Sequence, residues 1–249
     1  MSDPTKRFTG LAEIYAQARP TYPEEAIQCI ISQAGLREGC VIVDIGCGTG
    51  ISTRLFARRG FKVIGIEPNE DMLQKARAEK PQLPIEYRYG TAEDTGLEKD
   101  SVDLVLAAQA FHWFRPSEAL THFHAILKKG AWVALMWNER DERDPFTAGY
   151  GDALRMNPET NKVELPRLKA GEPLLTFPLF SNQVKESFSN SQHVDENGLI
   201  NRAFSASYAP KDEEGKTRLQ QKLKQLFAEY NKDGYVDLRY ETSIYFGRK

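Results

Sequence analysis

Carboxylates and glycines fall at spacings that suit capture of a ligand bearing hydroxyl and amino groups. Asp44, Gly46, Gly48 and Gly50 make a D-x-G-x-G-x-G run directly behind the β-branched residues of 41–45. Glycines there let backbone N–H groups approach a ligand without interference from a Cβ. Asp44 sits inside the end of an apolar run, where a charge is costly unless paired or hydrogen-bonded. It suits an anchor for the turn, or a partner for a cationic or hydroxylated group. Glu67 closes the next apolar run in Ile64-Gly-Ile-Glu67-Pro68. A carboxylate about 20 residues after such a turn can accept from both hydroxyls of a ribose. The same position also favours the N-terminus of a following helix. A third carboxylate, Glu93, ends Gly90-Thr-Ala-Glu93. His112 stands between Phe111 and Trp113 and suits either a general base or a brace for its own loop.

Two phosphate-binding readings of the glycine turn fail. A dinucleotide fingerprint needs G-x-G-x-x-G, but its last position would be Ile51 or Thr53. A P-loop needs a Lys followed by Ser or Thr, and none closes the turn. Cys29, Cys40 and Cys47 lack the paired short spacing of zinc ligands, so no metal is expected. Cys47 reads as a small turn residue beside the ligand.

The elements that must position these residues alternate through the first half of the chain. Strand signals at 41–45, 61–66, 85–89, 102–107 and 130–137 are separated by helical periodicity at 51–59, from 69 to about 79, and at 119–127. A further helix is expected at 23–34, and Asn69 is placed to cap the helix behind Glu67. This alternation implies a mostly parallel sheet covered on both faces. Ligands then lie outside the carboxyl ends of the strands, where Glu67, Glu93 and Gln109 all fall. After Trp137 the rhythm breaks. Prolines at 145, 158, 166, 173 and 178 punctuate helical signals at 146–156 and 165–175. Segments 183–189 and 235–247 read as the last two strands, the final one at a sheet edge, with helices at 199–204 and 217–230 between them.

The D-x-G-x-G-x-G turn, Glu67, Glu93 and Ser101-Val-Asp103-Leu-Val in register resemble the class I S-adenosylmethionine-dependent methyltransferases. The arm F-x6-Y-x3-R-P-x-Y-P, from Phe8 through Tyr15 and Arg19 to Pro23, resembles the small-molecule subgroup that includes trans-aconitate-methyltransferase-like proteins. Ala110-Phe-His-Trp113 fits the same subgroup. The resemblance implies a Rossmann-like α/β fold with a seven-stranded mostly parallel sheet, an antiparallel edge strand and a helical insertion after the fifth strand. It implies one domain over 1–249, with an N-terminal lid arm at 1–23 and a substrate cap at 138–180. It implies S-adenosyl-L-methionine as cofactor. By carry-over the cofactor site comprises Tyr15, Arg19, Asp44, Gly46, Cys47, Gly48, Glu67, Pro68, Met72, Ala92, Glu93, Ala108 and Gln109. Glu67 would take the ribose, Ala92 and Glu93 the adenine, and Arg19 the methionine carboxylate. Met72 suits an adenine face or ordinary helix core. Asp103, at the far end of its strand, reads as structural.

On the acceptor side Phe111, Trp113, Trp137 and Arg140 are expected near the substrate, with His112 as candidate base. Arg140, Arg143, Tyr150 and Arg155 suit an acidic acceptor or a solvated helix face. An Asn/Asp-Pro-Pro-aromatic motif is absent where amino methyltransferases of nucleic acid carry one; Ala108-Gln-Ala-Phe111 stands there. Net charge is −2, which gives no push towards nucleic acid or anionic membrane. The expected partner is therefore a small-molecule acceptor, in a cytoplasmic protein, at a carboxylate or hydroxyl. A non-catalytic S-adenosylmethionine-binding sensor or partner protein remains the alternative.

Overall fold

Continuous apolar runs become strands because only a sheet covered on both faces hides them. The computed structural model describes residues 10, 12–79 and 82–249, the side chain of residue 165 excepted. Phe8 and the other leading residues of the expected arm lie outside them. The strands are β1 (Val41–Ile45), β2 (Lys62–Glu67), β3 (Ile85–Tyr89), β4 (Val102–Ala108), β5 (Leu127–Arg140), β6 (Ser181–Val194) and β7 (Val236–Arg248). They form one sheet in the order β3-β2-β1-β4-β5-β7-β6. β1 pairs in parallel with β2 and β4, so the strand order reverses at their junction. The antiparallel strand is β7, paired with β5 on one side and β6 on the other. It is therefore second from the edge, and β6 is outermost.

Alternation along β1 decides which face each residue serves. Val43 and Ile45 join a core with helix α5 (Pro116–Ile126), through Leu120 and Phe123. Ile42 faces the other core, with Ile27 and Ile30 of α2 (Glu24–Gln33), Phe56 of α3 (Ile51–Ala57) and Leu73 of α4 (Glu70–Ala78). Asp44 shares that second face. Asn69 caps α4 by accepting from the Met72 N–H at 3.0 Å. A third core is the cap. It joins Phe146, Tyr150 and Leu154 of α6 (Pro145–Arg155), Leu199 and Ala203 of α9 (Glu196–Phe204), and Leu223 and Phe227 of α10 (Glu213–Tyr230). The cap core thus draws on the 138–180 segment and on the β6–β7 connection together. The arm helix α1 (Ala12–Ala18) contacts α9 and α4.

The structure extends several expected elements. β5 and β6 each run for 14 residues, beyond 130–137 and 183–189. Their outer ends are held by ladder pairing with β7, from Arg140↔Tyr240 and Val194↔Val236 inwards, not by an apolar stripe. The expected helix at 165–175 divides into α7 (Pro158–Leu168), which starts at an Asn157 cap, and α8 (Glu172–Leu175). Among the described residues no helix is long and apolar enough to cross a membrane.

Candidate active site

The glycine turn closes on the sheet through β2. Gly46 and Cys47 donate their N–H groups to the Ile66 carbonyl, at 2.8 and 3.1 Å. Gly46 has φ +69, and a Cβ there would stand 2.5 Å from the Ala110 Cβ, so no side chain fits. Gly48 has φ +57 and open space around a notional Cβ, as a turn that receives a ligand requires. Asp44 is fully buried behind the turn. Its Oδ2 accepts from Ser52 Oγ and Thr53 Oγ1, each at 2.7 Å, while Oδ1 has no partner. Burial pushes its pKa up to about 6 against those two bonds. Asp44 therefore ties the turn to the first turn of α3.

Glu67 braces the same turn from β2. Its Oε2 accepts from the Gly48 N–H and its Oε1 from the Asn69 N–H, both at 2.9 Å. It is buried, and that burial lifts its pKa to about 7 against both bonds, with the Asp44 charge adding to the rise. On the other side of the site, Glu93 Oε1 accepts from the Arg115 N–H at 2.9 Å. Gln109, at the exit of β4, holds a left-handed backbone with φ +59. A non-glycine residue in that region is strained, and such strain clusters at binding sites.

These ends enclose a cavity of about 500 Å³, within the range of small-molecule sites. Of the expected cofactor residues, Tyr15, Arg19, Gly46, Cys47, Gly48, Glu67, Pro68, Met72, Ala92, Glu93, Ala108 and Gln109 line it, with Asp44 immediately behind. Cys47 is buried and desolvation pushes its thiol well above the ordinary range, which disfavours the thiolate. The arm is fixed from outside: Gln192 Nε2 donates to Ala18 O at 2.9 Å, and Asn138 and Asn190 donate to Thr21 O at 3.0 and 2.9 Å.

The expected acceptor residues separate. Trp113 lines the cavity, whereas Phe111, His112, Trp137 and Arg140 do not. Phe111 packs edge-on against Phe114, and Trp137 packs the same way on Tyr245 in the core. Trp137 Nε1 donates to His112 Nδ1 at 3.4 Å. Arg140 is spent on acids, with Nη2 at 2.6 Å from Glu164 Oε1 and Nε at 3.2 Å from Glu142 Oε1. Several wall residues had no sequence signal of this role, among them Asn138 and Arg202. Tyr22 and Pro20, by contrast, lie within the arm motif.

Sheet order and glycine turn define a Rossmann-like α/β domain with a cavity at its topological switch point. Residues 43–135 match the family described as a methyltransferase domain. An uncharacterized methyltransferase of Mycobacterium tuberculosis is 32% identical over 208 residues, covering 83% of this chain and 79% of that protein. A probable S-adenosylmethionine-dependent methyltransferase of Saccharomyces cerevisiae is 34% identical over 120 residues, 46% of this chain and 40% of the relative. Among solved structures, one from Anaeromyxobacter dehalogenans provisionally named a type II methyltransferase shares the fold, with TM-score 0.65 and 22% identity over 92% of this chain and 97% of that one. The chain belongs to the methyltransferase family, as a class I enzyme whose methyl donor is S-adenosylmethionine.

Proposed function

We propose that this enzyme transfers the methyl group of S-adenosylmethionine to a small molecule enclosed in the cavity. The observation that carries this reading is a cavity of about 500 Å³ lined by the glycine turn, the β-strand ends, the arm and Arg202 of α9. Glu67 fits the ribose hydroxyls, since both its oxygens are fixed by backbone N–H groups at the turn. Ala92, Glu93 and Met72 fit the adenine, the Gly46–Gly48 turn the methionine chain, and Arg19 its carboxylate. The bound donor supplies an activated methyl. The chain's part is to align the acceptor with it and to exclude water, and positioning alone can lower a barrier by ~7–11 kcal/mol. His112 braces the exit loop against Trp137 in this reading, and an acceptor ionised at neutral pH needs no base. The arm motif and Ala110-Phe-His-Trp113 support placement in the trans-aconitate-methyltransferase-like subgroup.

Calorimetry with S-adenosylmethionine, followed by release of S-adenosylhomocysteine across small carboxylic acids, phenols, amines, tRNA and protein, tests the proposal. Turnover confined to small molecules is expected. Faster methylation of a macromolecule would overturn it, and failure to bind the donor would overturn the site assignment itself.

A further inference from the structure

Arg202 is 5% exposed, lines the cavity and has no carboxylate partner among the described residues. Its Nε donates to Tyr240 Oη at 3.2 Å, and its Nη1 is buried without any hydrogen-bond partner. Tyr240 Oη is itself satisfied, donating to Gln192 Oε1 at 3.5 Å. Two further buried polar atoms near it are also unpartnered: Arg19 Nε and Tyr150 Oη. Arg19 spends Nη2 on the Ser205 carbonyl at 2.9 Å and lays its guanidinium 4.5 Å from the Tyr15 ring centroid. Burial and the like charge of Arg202 both push Arg19 below its usual range. The charged neighbours that would otherwise neutralise this corner are taken. Glu164 pairs with Arg140 at 2.6 Å and receives the Tyr208 hydroxyl at 3.4 Å.

Buried polar groups are ordinarily paired, and a buried charge without a counter-ion is strongly unfavourable. Here two guanidiniums, Arg19 and Arg202, line the cavity, and each carries a buried N–H without a partner. The cofactor brings one carboxylate, which Arg19 can take, so Arg202 is left over. A planar guanidinium with free N–H groups matches a carboxylate in a fork. Resting on the proposed function above, we propose that Arg202 is the specificity-determining residue of the acceptor subsite and holds a carboxylate of an acidic acceptor. Any methyl-accepting atom on that acceptor is then oriented by an anchor supplied by α9, not by the 138–180 segment.

The test is calorimetric titration of malonate, citrate, inorganic phosphate and neutral malonamide into the full chain saturated with S-adenosylhomocysteine. A di- or tricarboxylate is expected to bind, and malonamide not to. Arg202→Met should weaken that binding by at least about tenfold, while S-adenosylhomocysteine affinity stays within about threefold. Arg202→Lys, which keeps the charge but loses the fork, should restore part of it and serves if Arg202→Met does not fold. No carboxylate binding to a wild-type chain that binds S-adenosylhomocysteine would overturn the inference alone. So would carboxylate binding unchanged in Arg202→Met, or phosphate preferred over every carboxylate. A collapse of S-adenosylhomocysteine affinity in Arg202→Lys would instead make Arg202 a cofactor residue. Loss of S-adenosylhomocysteine binding by the wild type would overturn the underlying site.

Discussion

Replacing Glu67 with alanine separates a ligand-holding carboxylate from a structural one. Two charge-assisted bonds to ribose hydroxyls at ~1.5–3 kcal/mol each would be lost, about 3–6 kcal/mol in all or roughly 10²- to 10⁴-fold in affinity. Stability should move little. The Asn69 and Gly48 N–H groups lose their acceptor, at ~1–3 kcal/mol each when no water replaces it. Gly48 borders the cavity, where water can reach it. At pH 8 the change also removes a buried carboxylate whose ionisation is opposed by burial, and its pKa near 7 puts that opposition at ~3 kcal/mol. The two effects nearly offset. Asp103→Ala is the contrast: Asp103 accepts from the Val41 N–H at 2.8 Å and pairs with Lys128 Nζ at 2.9 Å, at the opposite end of β4. That variant should lose ~1–3 kcal/mol of stability, a fall of about 2–12 °C in Tm. Its affinity for S-adenosylhomocysteine should stay within about twofold. Calorimetry and thermal unfolding at pH 8 measure both quantities. Equal thermal losses in the two variants, with unchanged affinity in Glu67→Ala, would refute the reasoning and leave Glu67 as a turn brace only.

Unfolded carboxyls ionise near 4, while Glu67 near 7 and Asp44 near 6 keep their protons longer in the ligand-free fold. Stability is therefore greatest below about pH 4 for these groups and falls as pH rises to about 7, by ~3 kcal/mol from Glu67 alone. Denaturant unfolding at pH 5 and pH 8 should show this drop, flattened in Glu67→Gln; an equal drop in that variant would assign it elsewhere. Arg140→Met leaves the buried Glu164 with Arg155 at 3.6 Å as its remaining ion-pair partner, so a loss of ~3–5 kcal/mol is expected. A raised acceptor KM at unchanged Tm would instead put Arg140 in the site. Gly46→Ala forces a Cβ to 2.5 Å from Ala110 at φ +69, costing about 2–5 kcal/mol in strain and overpacking. Wild-type Tm and affinity in that variant would show the exit loop yields freely.

The sheet's first half is legible because each element there announces itself locally. β3 matches its expected span at Ile85–Tyr89, and Asn69 caps α4 as its type and position imply. The glycine turn, Glu67 and Glu93 are likewise each set by their own strand end. Features built from distant residues are not readable in this way. β6 carries Ser181-Asn-Gln-Val-Lys-Glu-Ser and exposes most of its length, so ladder bonds to β7 define it, with little hydrophobic alternation. Arg140 stands next to a strand end and suggests a ligand, but Glu164, 24 residues on, claims it. Trp137 and Phe111 suggest an aromatic acceptor wall, yet packing sends both into the core. Arg202 sits in an unremarkable Asn-Arg-Ala-Phe sequence, and only the meeting of α9 with β7 and the arm gives it meaning.

The origin of the charges around the cavity explains why the donor site is readable and the acceptor site is not. Glu67 and Glu93, with Asp44 behind, come from the ends of parallel strands, whose order and register are fixed by the sheet. Arg19 and Arg202 come from the arm and from α9, elements held by cap packing and by side-chain bonds from Gln192, Asn138 and Asn190. In the proposed reading the carboxylates serve the donor's ribose and adenine, Arg19 its carboxylate, and Arg202 the acceptor. A sheet edge constrains sequence through short-range pattern, so its ligands recur as motifs. A cap constrains it only through packing, so an arginine such as Arg202 can sit in any sequence that lets α9 bury Leu199 and Ala203. The residue proposed to hold the acceptor is for that reason legible only in the folded chain, where Arg202 lines the cavity and its buried Nη1 has no partner.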